Sequence, residues 1–163
     1  MNESASPTGD AGFMLKALAE AKRAGSAAEI PVGAVVVRDG VVIAAGRNER
    51  EALQDPTAHA EMLALRGAAR ALNSWRLDEC TLYATLEPCI MCVGAILQAR
   101  IARLVFGCLD PKAGAVASLY RMCDDARLNH RVEVSSGILQ GECSEMLTTF
   151  FAALRLGKKG MRS

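Results

Sequence analysis

Apolar positions recur along this chain with two different periods, and each period predicts a different element. Phe13, Leu15, Leu18 and Ala21 return at helical intervals and predict a first helix over Phe13–Ala24. Val32–Val37 is a β-branched run, followed by Asp39-Gly40 and a second apolar run over Val41–Ala45. Asp-Gly between two such runs predicts a tight hairpin. Gly46-Arg47-Asn48 then leaves the second strand into a polar connection that reaches Pro56. Thr57 is placed to cap a helix over Ala58–Leu72, a stretch rich in Ala, Leu, Met and Arg. A third strand is expected over Thr81–Leu86, ending abruptly at Glu87-Pro88, with a short helix over Cys89–Ala99 after it. Next come a fourth strand over Arg103–Cys108, a loop with Pro and Gly from Asp110 to Gly114, and a helix near Ala115–Cys123. A fifth strand around Val132–Ile138 and a last helix over Glu142–Leu156, stopped by Gly157, complete the pattern.

Helices between the third, fourth and fifth strands imply crossover connections and a partly parallel sheet. No internal repeat and no linker interrupts the pattern, and 163 residues suit one α/β domain with a substantial core. The expected organisation is a disordered lead over residues 1–12, one domain over 13–157 and a basic tail over 158–163 carrying Lys158, Lys159 and Arg162. Hydrophobic residues make up 51% of the chain but aromatics only 4%, so packing must rest on Val, Leu, Ile and close helix–sheet approach rather than on large rings.

The formal charge of +1 provides no general grip on phosphate, so any nucleic-acid contact must come from a local patch. Met1–Gly12 has no apolar segment of the export-signal kind, and no run reaches membrane-spanning length. A cytoplasmic protein with no membrane contact is expected, and structural disulfides are rare in that compartment. Cys80, Cys108, Cys123 and Cys143 are therefore read as small buried hydrophobes.

Cys89 and Cys92 differ from the other four, because two thiolates at i and i+3 on one helical turn can face one metal ion. His59, at the start of another helix, can supply a third ligand. Helix starts favour thiolate over thiol through their free N–H groups and dipole. Three protein ligands leave a fourth position open, the arrangement of a catalytic rather than a structural zinc. Glu61, two residues beyond His59, is placed to move protons without binding the metal. Taken singly, Cys-x-x-Cys also describes a redox pair or half of a structural zinc site, a lone His is more often structural, and a helical Glu is usually a solvated acid. A structural zinc would need a fourth ligand, and only His130 and four scattered cysteines are available. The joint pattern of His-x-Glu ahead of a strand that runs into Pro-Cys-x-x-Cys favours catalysis, and it is the signature of zinc nucleobase deaminases.

The resemblance extends well beyond that signature. Ile30–Val35, Asp55–Glu61, Thr85–Cys92, Phe106–Ala115, Asn129–Val132 and the closing Phe150-Phe151 resemble the bacterial tRNA adenosine deaminase (TadA) family, across residues 13–156. That likeness implies a cytidine-deaminase-like fold, a three-layer α/β/α sandwich around a five-stranded mixed sheet. It implies a homodimer with one Zn2+ per subunit, converting adenosine to inosine at the wobble position of a tRNA anticodon stem-loop. It also implies that Asn48 hydrogen-bonds the target base, that Asp110 and Lys112 line the anticodon, that Asn129 makes a similar contact, and that Phe151 and Arg155 lie near bound RNA. From local chemistry alone, Asn48 and Asp110 are equally turn residues, and Lys112, Arg155, Lys158 and Lys159 a solvated face. Cys108 and Leu109 depart from the small or charged residues frequent in the family before the loop aspartate. The alternatives are a guanine or free-nucleoside deaminase of the same superfamily and a non-catalytic RNA-binding protein with a structural zinc.

Overall fold

The computed structural model describes residues 9–160. Five strands form one sheet in the order β2-β1-β3-β4-β5: β1 (Gly33–Arg38), β2 (Val41–Arg47), β3 (Cys80–Leu86), β4 (Arg103–Cys108) and β5 (Glu133–Ser136). β1 runs antiparallel to both β2 and β3, whereas β3, β4 and β5 are parallel. The hairpin turns where expected, with Asp39 at φ 50 and Gly40 at φ 74, the paired left-handed residues of a tight turn matched to strand twist.

Five helices accompany the sheet: α1 (Asp10–Ser26), α2 (Arg50–Leu53), α3 (Ala60–Leu72), α4 (Ile90–Gln98) and α5 (Gln140–Gly160). Alternation along β1 sorts its side chains between two cores. Val35 and Val37 pack with Met14, Ala17 and Leu18 of α1 and Cys143 of α5. Ala34 and Val36 pack with Ala60, Ala64 and Ala68 of α3 and with Val93 and Ile96 of α4. Both faces are covered, so β1 reads as a continuous apolar run, and the architecture is the expected α/β/α sandwich. The alanine-rich composition permits close layers. A Cβ at Gly33 would overlap the carbonyl of Ala17 in α1, and one at Gly46 would overlap that of Ala60 in α3. Cys80, Cys108, Cys123 and Cys143 are buried free thiols, as their reading as hydrophobes requires.

Several boundaries differ from the local expectation, each for a tertiary reason. Helix α1 starts at Asp10 rather than Phe13, because the Asp10 carboxylate accepts bonds from Arg103 at 2.8 and 2.7 Å and from the Tyr83 hydroxyl at 2.8 Å. The rest of the expected disordered lead, residues 1–8, lies outside the described residues. Thr57 does not cap α3: its N–H and hydroxyl both bond to the Asp55 carboxylate at 2.8 Å, and His59, in extended conformation, is the N-cap. No α-helix forms over Ala115–Cys123; that span is irregular apart from a 3-10 turn over Met122–Asp124, and β5 is only four residues long. Gly157 does not end α5, which continues to Gly160. Among the described residues no helix is long and apolar enough to cross a membrane.

Candidate active site

The N-terminal ends of α3 and α4 meet beside the end of β3. His59 is the N-cap residue of α3 and Cys89 that of α4, both with extended backbone, so each side chain leaves its helix at the first turn. His59 Nδ1 lies 3.6 Å from Cys89 Sγ and 3.5 Å from Cys92 Sγ. One ligand atom from each of the three residues lies within 4.8 Å of the other two, and among the described residues no fourth His, Cys, Asp or Glu joins them. One imidazole nitrogen and two sulfurs at two helix starts are a donor set that suits zinc, and three ligands suit a site with one position left for chemistry. Glu61, on the first turn of α3, is 3% exposed and accepts from Cys92 Sγ at 3.5 Å.

The electrostatics follow from burial and proximity. Burial pushes the Glu61 carboxyl above the usual carboxylate range, against the opposing pull of its own backbone N–H and of His59. The bond from Cys92, aided by His59, pulls the Cys89 thiol well down, while the same bond together with burial pushes Cys92 up. His59 is raised chiefly by its bond to Cys89. The cluster thus favours a thiolate even among its own residues, the form in which cysteine binds metal.

A cavity of about 260 Å³ opens onto this cluster, lined by His59, Glu61 and Cys89 and, on its other sides, by Ile30, Asn48 and Asp110. Asn48 is both a turn residue and part of the wall: its Nδ2 donates to the Ile30 carbonyl at 3.2 Å, and its Oδ1 accepts from Arg50 N at 3.3 Å. Asp110 likewise accepts from the N–H groups of Lys112 and Ala113. Lys112, Phe151 and Arg155 do not enter the cavity; with Leu109 they line an adjoining groove of about 380 Å³ between the loop after β4 and helix α5. Asn129 is not brought to either. It lines a separate hollow with Leu128 and His130 against the C-terminal half of α4. Sequence reasoning missed Arg50, which lines the cavity, and two buried acids, Glu29 and Glu87. Only an acid inside the apolar surroundings of Leu86 and Pro88 hinted at the last of these.

The MafB19-like deaminase family model matches residues 9–155. The tRNA-specific adenosine deaminase of Bacillus subtilis (strain 168) is 47% identical over 155 residues, covering 95% of this chain and 96% of that protein. This chain belongs to the tRNA-specific adenosine deaminase family. A solved structure from studies of A-to-I editing by tRNA:A34 deaminases at the wobble position of transfer RNA shares the fold of this chain. It has a TM-score of 0.82 and 47% identity, over 85% of this chain and 100% of that one. A guanine deaminase from Bacillus subtilis is more distant, with a TM-score of 0.58 and 40% identity over 67% of this chain and 66% of that one.

Proposed function

We propose that this chain deaminates adenosine to inosine at the wobble position of a tRNA anticodon, as a cytoplasmic homodimer with one Zn2+ per subunit. The observation that carries the reading is the buried Glu61 carboxyl 3.5 Å from Cys92 Sγ, beside His59 and Cys89 at the wall of a base-sized cavity. His59, Cys89 and Cys92 would hold the zinc, whose Lewis acidity makes water a nucleophile near neutral pH. Glu61 takes a proton from the attacking water and passes it to N1 of the adenine ring, which makes C6 electrophilic and the ring a better electron sink. The water oxygen bonds to C6, the C6–N6 bond breaks, and Glu61 moves the second proton to the departing nitrogen, which leaves as ammonia. Adenosine and water are thus converted to inosine and ammonia.

The side-chain amide of Asn48, in the cavity wall, would hold the target base through its remaining N–H and lone pair. Lys112, Phe151 and Arg155 in the adjoining groove present charge and one aromatic face to the flanking nucleotides, and Asp110 stands at the rim between the two. A base must leave its stack to enter, which suits an unpaired loop rather than a duplex. Asn129 is assigned to RNA beyond the target nucleotide. A guanine deaminase is the second reading, favoured by the 40% identity to that enzyme over two thirds of the chain.

Purified protein incubated with an anticodon stem-loop, free adenosine, cytidine or guanine decides between them. Inosine forms in the RNA alone and is lost with a chelator on this account. Guanine consumption without inosine in the RNA overturns it.

A further inference from the structure

Glu87 is 1% exposed, lies between β3 and the Pro88-Cys89 turn, and holds no place in the chemistry described above. Its carboxylate is surrounded by donors from one segment of chain. Oε1 accepts from Asp110 N at 3.0 Å and from the Ser118 hydroxyl, and Oε2 accepts from Val116, Ala117 and Ser118 N at 3.1, 2.9 and 3.0 Å. Five donors saturate an ionised carboxylate, which offers about four lone-pair sites and no proton. The loop 110–118 therefore winds around a side chain, with one internal turn closed by Gly114 N donating to Asp110 O at 2.8 Å. Gly114 marks how tightly it does so, because a Cβ there would overlap the Glu87 carboxyl group. The neighbouring backbone joins the same anchor: Glu87 N donates to Cys108 O at 2.8 Å, and Ala115 N to Pro88 O at 2.9 Å.

That loop carries the RNA side of the site. Asp110 and Ala113 line the cavity, and Lys112 lines the adjoining groove. The metal-ligand cluster and Glu61 belong instead to α3 and α4; the loop meets them through Ala115 and Val116 in the shared core and through the bridge between Gly114 and Cys89. We infer that Glu87 is a positioning residue, fixing the 110–118 loop so that the cavity wall and the groove keep one spacing for RNA. It acts through the loop, on substrate affinity more than on the chemical step. This inference rests on the tRNA reading of the same site.

Steady-state kinetics of the zinc-loaded Glu87→Gln protein on an anticodon stem-loop, with hydrogen exchange of the Val116, Ala117 and Ser118 amides, test it. Gln keeps the size but turns an N–H2 toward N–H donors. KM should rise about tenfold or more with kcat changed by less than about threefold, and the three amides should lose protection. Ser118→Ala, which removes one donor and leaves the carboxylate, should raise KM about two- to threefold, and it carries the test if Glu87→Gln does not fold. A fall in kcat at constant KM, or full protection of the three amides in a folded Glu87→Gln protein, overturns the proposal. If the wild type forms no inosine, the tRNA reading falls, and the exchange data still decide whether Glu87 holds the loop.

Discussion

Two glutamates flank the same cavity, both essentially removed from water, and they meet opposite fates. Glu61 is 3% exposed and has a single side-chain partner, the sulfur of Cys92 at 3.5 Å. Burial dominates there and pushes its carboxyl up. Glu87 is buried at least as deeply, and burial pushes it up as well. The Ser118 hydroxyl and the N–H groups of Ala117, Asp110 and Ser118 together outweigh that push and hold it at about 2. Depth alone does not decide what a buried acid does; the number of donors aimed at it does. A carboxyl with few donors can take and return a proton. One saturated with donors is a fixed anion that shapes the backbone around it.

The largest effect should come from stripping the Glu61 side of its metal donors. Cys89→Ala is expected to abolish bound zinc, measured by elemental analysis, and to remove all detectable inosine formation. The loop around Glu87 should stay folded, with amide protection at Val116–Ser118 unchanged. On the Glu87 side, Gly114→Ala forces a Cβ into the carboxyl group. Thermal or denaturant unfolding should show a loss of about 1–3 kcal/mol, the usual cost of overpacking, with zinc still bound. Glu29 sharpens the donor count. It is 3% exposed and, among the described residues, accepts two backbone bonds, from Glu51 N at 3.2 Å and Ala52 N at 2.7 Å, which hold α2. Glu29→Gln should therefore cost about 1–2 kcal/mol in denaturant unfolding, less than Glu87→Gln.

The smallest effect belongs to Asp10, a partly exposed acid. Its bond to Arg103 outweighs its modest burial and lowers its pKa, with help from Tyr83. A carboxyl lowered in the folded state stabilises above its unfolded pKa and loses that contribution as pH falls through the folded value. Asp10→Asn should lower stability at neutral pH by about 1 kcal/mol or less, and the difference from wild type should vanish on acidification below the ordinary aspartate range. A gap that widens in acid would contradict this assignment.

The parts of the fold that repeat with a local period were legible in the sequence. All five strands were, as were α1, α3, α4 and α5, because alternation and helical spacing are written in neighbouring residues. Elements set by distant partners were not. Asp10 extends α1 through a residue ninety-three positions away. The helix expected over Ala115–Cys123 is absent: Glu87, about thirty positions earlier, draws in the N–H groups of Val116, Ala117 and Ser118, and the later N–H groups of Leu119 and Met122 bond to the carbonyls of Gly114 and Ala115 rather than four residues back. The candidate site divides in the same way. His59 with Glu61 at the start of α3, and Cys89 with Cys92 at the start of α4, follow local spacing, while the meeting of the two pairs is tertiary and was read from the joint motif. The resemblance singled out Asn48, Asp110, Lys112, Phe151 and Arg155 as RNA contacts, and the structure sorts them, Asn48 and Asp110 on the cavity and the other three around one groove. The resemblance gave Asn129 a similar contact, whereas the structure puts Asn129 in a separate hollow. Glu29 and Glu87 gave almost no signal, because an acid looks the same in sequence whether solvent or five donors surround it.

Glu61→Gln puts the central claim to its most direct test, because it keeps the side chain's size while removing its ability to take a proton. Zinc content and inosine formation on an anticodon stem-loop would be measured together on wild type and variant. The account predicts one zinc in each, with inosine formation slowed by about 10²–10⁴-fold or more in the variant, the usual contribution of general acid–base catalysis. A Glu61→Gln protein that retains zinc and deaminates at a rate close to wild type would contradict it.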